Sequence, residues 1–76
     1  MLRPLINKVR CTKCDVLIES RHSHDLKTCK CGAIFIDGGT EYQRYGWGAN
    51  YSSKKNESVE DNIDFSYSVY EKTKLN

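Results

Sequence analysis

The chain has 76 residues, a net charge of +2 and an apolar content of 38%. That length allows one domain at most, and chains below about 70–80 residues seldom hold together on a hydrophobic core alone. No apolar run approaches the ~18–20 residues needed to span a bilayer, and the first residues lack an apolar stretch of secretory length, so a cytoplasmic protein with reduced cysteines is expected.

In chain order, Leu2 to Val9 reads as a lead-in strand or arm, with Pro4 expected to keep it out of a central position. Cys11-Thr12-Lys13-Cys14 follows as a first cysteine pair. Val16 to Ser20 is a short apolar run expected to leave that pair as a strand. Arg21 to Asp25 is a polar turn, and Leu26 to Cys29 is the expected return strand into the second pair, Cys29-Lys30-Cys31. Gly32 then permits a turn of positive φ beside the sulfurs. Ala33 to Ile36 is the strongest β run, Asp37-Gly38-Gly39 a turn, and Thr40 to Tyr45 the expected return strand, ended by Gly46-Trp47-Gly48. Residues 49–62 are polar and read as a loop or linker. Ile63 to Tyr70 alternates, with Ile63, Phe65, Tyr67 and Val69 on one face, which predicts a half-buried strand whose partner is not evident. The chain thus divides into a head at 1–48, a loop at 49–62 and a C-terminal strand and tail at 63–76.

The two cysteine pairs are the strongest chemical signal. In a reducing compartment, paired cysteines bind metal or do redox chemistry more often than they form disulfides. Cys11, Cys14, Cys29 and Cys31 are therefore expected to hold one structural Zn2+, stapling a small all-β, zinc-ribbon-like fold of two antiparallel hairpins. The one-residue gap at Cys29-Lys30-Cys31 is tight, so His22 or His24 stands as an alternative ligand. A redox role for the first pair requires a helix N-terminus that the pattern does not contain, and disulfides require an extracellular setting.

A second cluster is aromatic and basic: Tyr42, Arg44, Tyr45, Trp47 and Tyr51. Rings of this kind stack on bases, anchor protein interfaces, or simply fill a poor core. Charge is uneven along the chain. Residues 1–55 carry ten Lys/Arg against five Asp/Glu, while residues 56–76 carry two against five.

The spacing from Cys11 to Arg44 resembles a family of small bacteriophage and prophage proteins. The matching positions are Cys11, Cys14, Ile18, Ser20, His22, His24, Asp25, Cys29, Cys31, Gly32, Ile34, Asp37, Gly38, Gly39, Tyr42 and Arg44. The resemblance implies a zinc-ribbon-like module in a phage accessory protein, a class that often acts by binding a host enzyme. The expected function is accordingly non-enzymatic. The chain is expected to bind a host protein through Tyr42, Arg44, Tyr45, Trp47, Phe65 and Tyr67, as monomer or homodimer, and to inhibit a defence or nucleic-acid enzyme. Carboxylates of the acidic segment 57–71 would there stand in for phosphates. One alternative is a nucleic-acid-binding ribbon using Lys8, Arg10, Lys13, Lys27, Lys30 and Arg44. A third reading, a hydrolase with His22, His24 and Asp25 around an open zinc, needs a coordination position for water.

Overall fold

The computed structural model describes residues 3–71; the expected strand start at Leu2 and the tail beyond Glu71 lie outside the described residues. The fold is all-β and its strand pairs are antiparallel; no α-helix occurs among the described residues. Strand β1 (Pro4–Cys11) is the hub of a first sheet. Strand β2 (Leu17–Ser20) lies on one side of it, and two short strands, β6 (Ile63–Asp64) and β7 (Val69–Tyr70), also pair with it. A second sheet has the order β3 (Lys27–Thr28), β4 (Ile34–Asp37), β5 (Arg44–Trp47).

The alternation of β1 shows why it occupies the centre. Asn7, Val9 and Cys11 point inward and are buried, while Lys8 and Arg10 are only half-buried on the other face. In β4, Ile34 and Ile36 are completely buried between β3 and β5. Together with Ala33, Cys29 and Ile63 these residues form a single small core. Each sheet has one face to bury, and the two faces bury each other.

A polar seam also joins the sheets. The Asn7 side chain is wholly buried; its Nδ2 donates to the Asp37 carbonyl at 3.1 Å, and its Oδ1 accepts from Gln43 Nε2 at 2.9 Å. Ser20 Oγ accepts from the Gly39 amide at 2.9 Å and donates to the Asp25 carbonyl at 2.6 Å. Buried polar groups are tolerated when they find partners, and among the described residues no buried side-chain nitrogen or oxygen is left without one. Gly39 has φ +55°, and a Cβ there would run into the backbone of His22. Only glycine therefore lets the 37–39 turn nest against the 22–25 turn.

Several strand expectations are corrected. Residues 17–20 do not pair with 26–29. They pair with β1 from Asn7↔Ser20 to Arg10↔Leu17, while Lys27 and Thr28 pair with Ile36 and Phe35. The reason is that each cysteine pair is itself the turn of a hairpin, so strands pair across a cysteine pair and not between the two. The last hairpin is 34–37 with 44–47, from Ile34↔Trp47 to Asp37↔Arg44, instead of 33–36 with 40–45. Its turn is longer because the Glu41 and Tyr42 amides fold back onto the Gly38 carbonyl. Pro4 does not exclude β1 from the centre, since it is the first strand residue, where a missing N–H is tolerated.

Ile63 to Tyr70 is not one strand. The Asp64 carboxylate accepts the Ser66 amide and starts a 3-10 turn at Phe65–Tyr67, splitting the run into β6 and β7. The missing partner is β1, through Cys11↔Ile63, Arg10↔Asp64 and Ile6↔Val69. Residues 49–62 are likewise not a loose linker throughout. Val59–Asn62 forms a 3-10 turn, and the Asn62 carbonyl accepts the Thr12 amide at 3.1 Å.

Candidate metal centre

The first hairpin turn runs from Cys11 to Val16. The Cys11 amide donates to the Val16 carbonyl at 3.0 Å, and the Asp15 amide donates to the Cys11 carbonyl at 2.8 Å. Asp15 takes φ +63°, a left-handed conformation that Asp tolerates better than most residues. The second turn repeats the plan with one residue fewer between its cysteines. The Cys29 amide donates to the Ile34 carbonyl at 3.1 Å, the Gly32 amide to the Cys29 carbonyl at 3.0 Å, and Gly32 takes φ +78°. In both turns an N-to-O bond spanning five residues closes the loop. Moving the left-handed residue forward by one place accommodates the shorter gap at Cys29-Lys30-Cys31.

The turns bring four sulfurs together. The Sγ atoms of Cys11, Cys14, Cys29 and Cys31 all lie within 4.8 Å of one another. Cys31 Sγ is 3.5 Å from Cys29 Sγ and 3.7 Å from Cys11 Sγ. Tetrahedral coordination with metal–sulfur bonds of about 2.3 Å places sulfurs about 3.8 Å apart, so these positions lie close to those of a four-thiolate ion. The donor set is entirely sulfur. His22 and His24 do not join it, and both sulfurs of the tight second pair do.

The surroundings suit thiolates. The Ile34 amide points at Cys29 Sγ at 3.5 Å, an outer hydrogen bond that orients the ligand. Burial pushes the Cys11 thiol up to about 12 and also lifts that of Cys31. Burial acts the same way on Cys14. Backbone donors at Cys31 and Val16 and the neighbouring thiols of Cys31 and Cys11 outweigh it there, bringing that thiol down to about 6. Metal binding would displace the protons that burial holds on the Cys11 and Cys31 thiols.

A family profile described as "Domain of unknown function (DUF7695)" matches residues 3–47, more than half of the chain. The chain belongs to this family. The DUF7695 region covers β1 to β5 and all four cysteines, and it ends where β5 ends. Comparison with curated proteins and with solved structures returned no match.

The other expected site residues are dispersed. Arg44 is gripped by Asp37, with Nη2 to Oδ2 at 2.8 Å, and lies over the Phe35 ring. Tyr45 meets Phe65 edge-on, with ring centroids 5.0 Å apart, and its hydroxyl donates to Glu60. Trp47 stacks on Tyr51 at 5.2 Å, with the Lys13 ammonium on the far ring. Tyr42 is half-buried, and Tyr67 is the most exposed of the named rings. Most of the aromatic–basic cluster is therefore engaged inside the molecule, joining the family domain to the segment that follows it.

The cations expected to meet nucleic acid are mostly paired. Arg10 binds Asp15 at 2.7 Å and Asp64 at 3.4 Å, Lys13 binds Glu57 at 3.0 Å, and Lys27 binds Asp25 at 3.2 Å. Of the six cations named, only Lys8 and Lys30 lack an ion pair among the described residues. Asp25, which could orient a histidine base, instead accepts the Arg21 amide at 2.9 Å, while His22 sits 4.0 Å away, exposed to solvent. Sequence reasoning missed Asn7, Ser20 and Asn62 as buried anchors. A polar residue inside an alternating strand gives no signal of its own burial, although Ser20 lies within the resembling motif.

Proposed function

We propose that this protein is a non-catalytic protein-binding module held together by one structural zinc ion. Four thiolates at tetrahedral spacing are the donor set that zinc takes in closed structural sites, and no imidazole or carboxylate belongs to the cluster. The observation that carries the reading is the all-sulfur sphere. It leaves no coordination position for a substrate or an activated water, so the centre organises the fold and does no chemistry. The self-paired cations weigh against a phosphate-binding face, while Leu5, Ile6, Leu17, Leu26, Tyr67 and Val69 remain exposed apolar side chains. Following the resemblance to phage-encoded proteins, the partner is a host protein, and inhibition of a host defence or nucleic-acid enzyme is the outcome proposed.

The test is capture from host lysate on the immobilised, zinc-loaded full chain, with a parallel assay on labelled DNA and RNA. One protein retained at high salt, with no nucleic acid bound at low salt, is expected. Nucleic-acid retention that collapses with rising salt, without a protein partner, would replace this reading by the ribbon alternative.

A further inference from the structure

The DUF7695 match stops at Trp47, but the fold does not. Residues 57–71 return across the head as a strap and fill the groove between the edge of β1 that β2 leaves open and the rings of β5. Ile63 enters the core beside Cys11 and Ile34. Phe65 docks on Tyr45, Asp64 meets Arg10, and Glu57 meets Lys13. Ser68 Oγ accepts the Lys8 amide at 3.1 Å and donates to the Lys8 carbonyl at 2.7 Å, while the Glu71 amide donates to the Arg3 carbonyl at 2.8 Å. These contacts combine backbone pairing along a strand edge, one apolar socket, one aromatic contact and two cations that take acids. That is the grammar of peptide recognition by strand addition.

Apart from Ile63 in the core, the strap is held to the head by short pieces. Its ladders on β1 are two short pieces separated by a 3-10 turn, and its tether is exposed from Ser52 to Asn56. Segments with short ladders and exposed connections open at far lower cost than a core strand.

We infer that this groove is a docking site for an extended segment of a partner protein, one carrying an apolar, an acidic and an aromatic residue in succession, and that the strap is its removable occupant in cis. The inference rests on the protein-binding reading and names its surface. Charge decides the class of ligand, because Arg10 and Lys13 line the groove and both take carboxylates from the strap. In cis the strap competes at an effective concentration on the order of mM, so a partner segment must exceed that or act where the strap is already released.

The experiment uses the zinc-loaded full chain with a protease site inserted between Ser52 and Ser53. The probe is a fluorescent peptide of residues 57–71, read by anisotropy before and after cutting. Uncut chain is expected to bind it poorly, and cut chain roughly 10²-fold more tightly. Peptides carrying Asp64→Lys or Phe65→Ala should lose about tenfold or more. Cut chain that binds the peptide no better than uncut chain would overturn the groove. Concentration-dependent dimers that exchange straps between copies would overturn the foreign partner in favour of a second copy. Should cutting unfold the chain, hydrogen exchange on uncut chain decides. The Lys8, Thr12 and Glu71 amides should exchange at least about tenfold faster than those of Ile34 and Ile36, and equal protection would refute a removable strap. Capture of a host protein by a chain that never exchanges its strap overturns the groove alone and leaves the protein-binding reading standing.

Discussion

Replacing Ser20 by alanine tests the polar seam between the sheets. The side chain is 1% exposed, and its one oxygen serves two backbone groups, the Gly39 amide at 2.9 Å and the Asp25 carbonyl at 2.6 Å. Ser20→Ala removes that oxygen and leaves nothing in its place. The Gly39 amide sits in a buried environment, where an unsatisfied donor costs about 1–3 kcal/mol. The Asp25 carbonyl is closer to solvent, so its loss is nearer 1 kcal/mol. The sum is about 2–4 kcal/mol, a large share of the ~5 kcal/mol expected at the low end for so small a domain. With a urea slope near 1 kcal/mol/M, the midpoint of the zinc-loaded protein should fall by about 2 M or more. Urea unfolding followed by Trp47 fluorescence measures it. Ser23→Ala, on the same turn, is the control, and should stay within about 0.5 kcal/mol. A Ser20→Ala midpoint indistinguishable from the control would show that the two turns are not joined through this hydroxyl.

Native mass spectrometry should find one zinc per chain, and chelation should unfold the protein. Cys31→Ser should weaken binding, whereas His22→Ala and His24→Ala should leave it unchanged; loss of metal from either histidine variant contradicts the all-sulfur sphere. Zinc uptake at pH 7 should release at least two protons, from the Cys11 and Cys31 thiols that burial holds up, readable by titration calorimetry in buffers of different ionisation enthalpy. The Arg44 guanidinium holds the Asp37 carboxyl below its ordinary range. Since the folded value is the lower one, the stabilisation is present above the ordinary carboxylate range and is lost as pH falls through the folded value. The stability gap between wild type and Asp37→Asn should therefore narrow below about pH 4; a gap independent of pH would remove that ion pair from the account. Gly39→Ala places a methyl against the His22 backbone at φ +55° and should cost about 2 kcal/mol or more by the same urea assay, and a neutral result would show that the two turns do not nest.

The metal centre was legible because four cysteines in two tight pairs carry their meaning in spacing alone. The β content was legible from short apolar runs such as Ala33 to Ile36. Strand partners were not, and the physical reason is local. A cysteine pair closed by its own amide bond, Cys11 to Val16 or Cys29 to Ile34, is already a hairpin turn, and nothing in residue order distinguishes it from a bridge between separate hairpins. Period-two alternation also overstated Ile63 to Tyr70, where the Asp64 carboxylate captures the Ser66 amide and breaks the run. The aromatic cluster looked like a surface because its rings are close in sequence. Trp47 instead stacks on Tyr51 within the cluster, and Tyr45 meets Phe65, which comes from the segment that folds back over it.

The central place of β1 has a consequence for how the protein is made. Two of the strands that pair with β1, at 63–64 and 69–70, lie about fifty or more residues further along the chain and so are made well after it. Contacts so far apart in the chain slow folding, because a large loop must close before they contribute. Until then the edge of β1 is unpaired, and a free strand edge invites pairing with other chains. The cysteine turns are complete by residue 34, so metal capture can hold the nascent head in register while the remaining residues are synthesised. A metal ion bound at that stage would guard an edge that the chain itself covers only once residues 63–70 are in place.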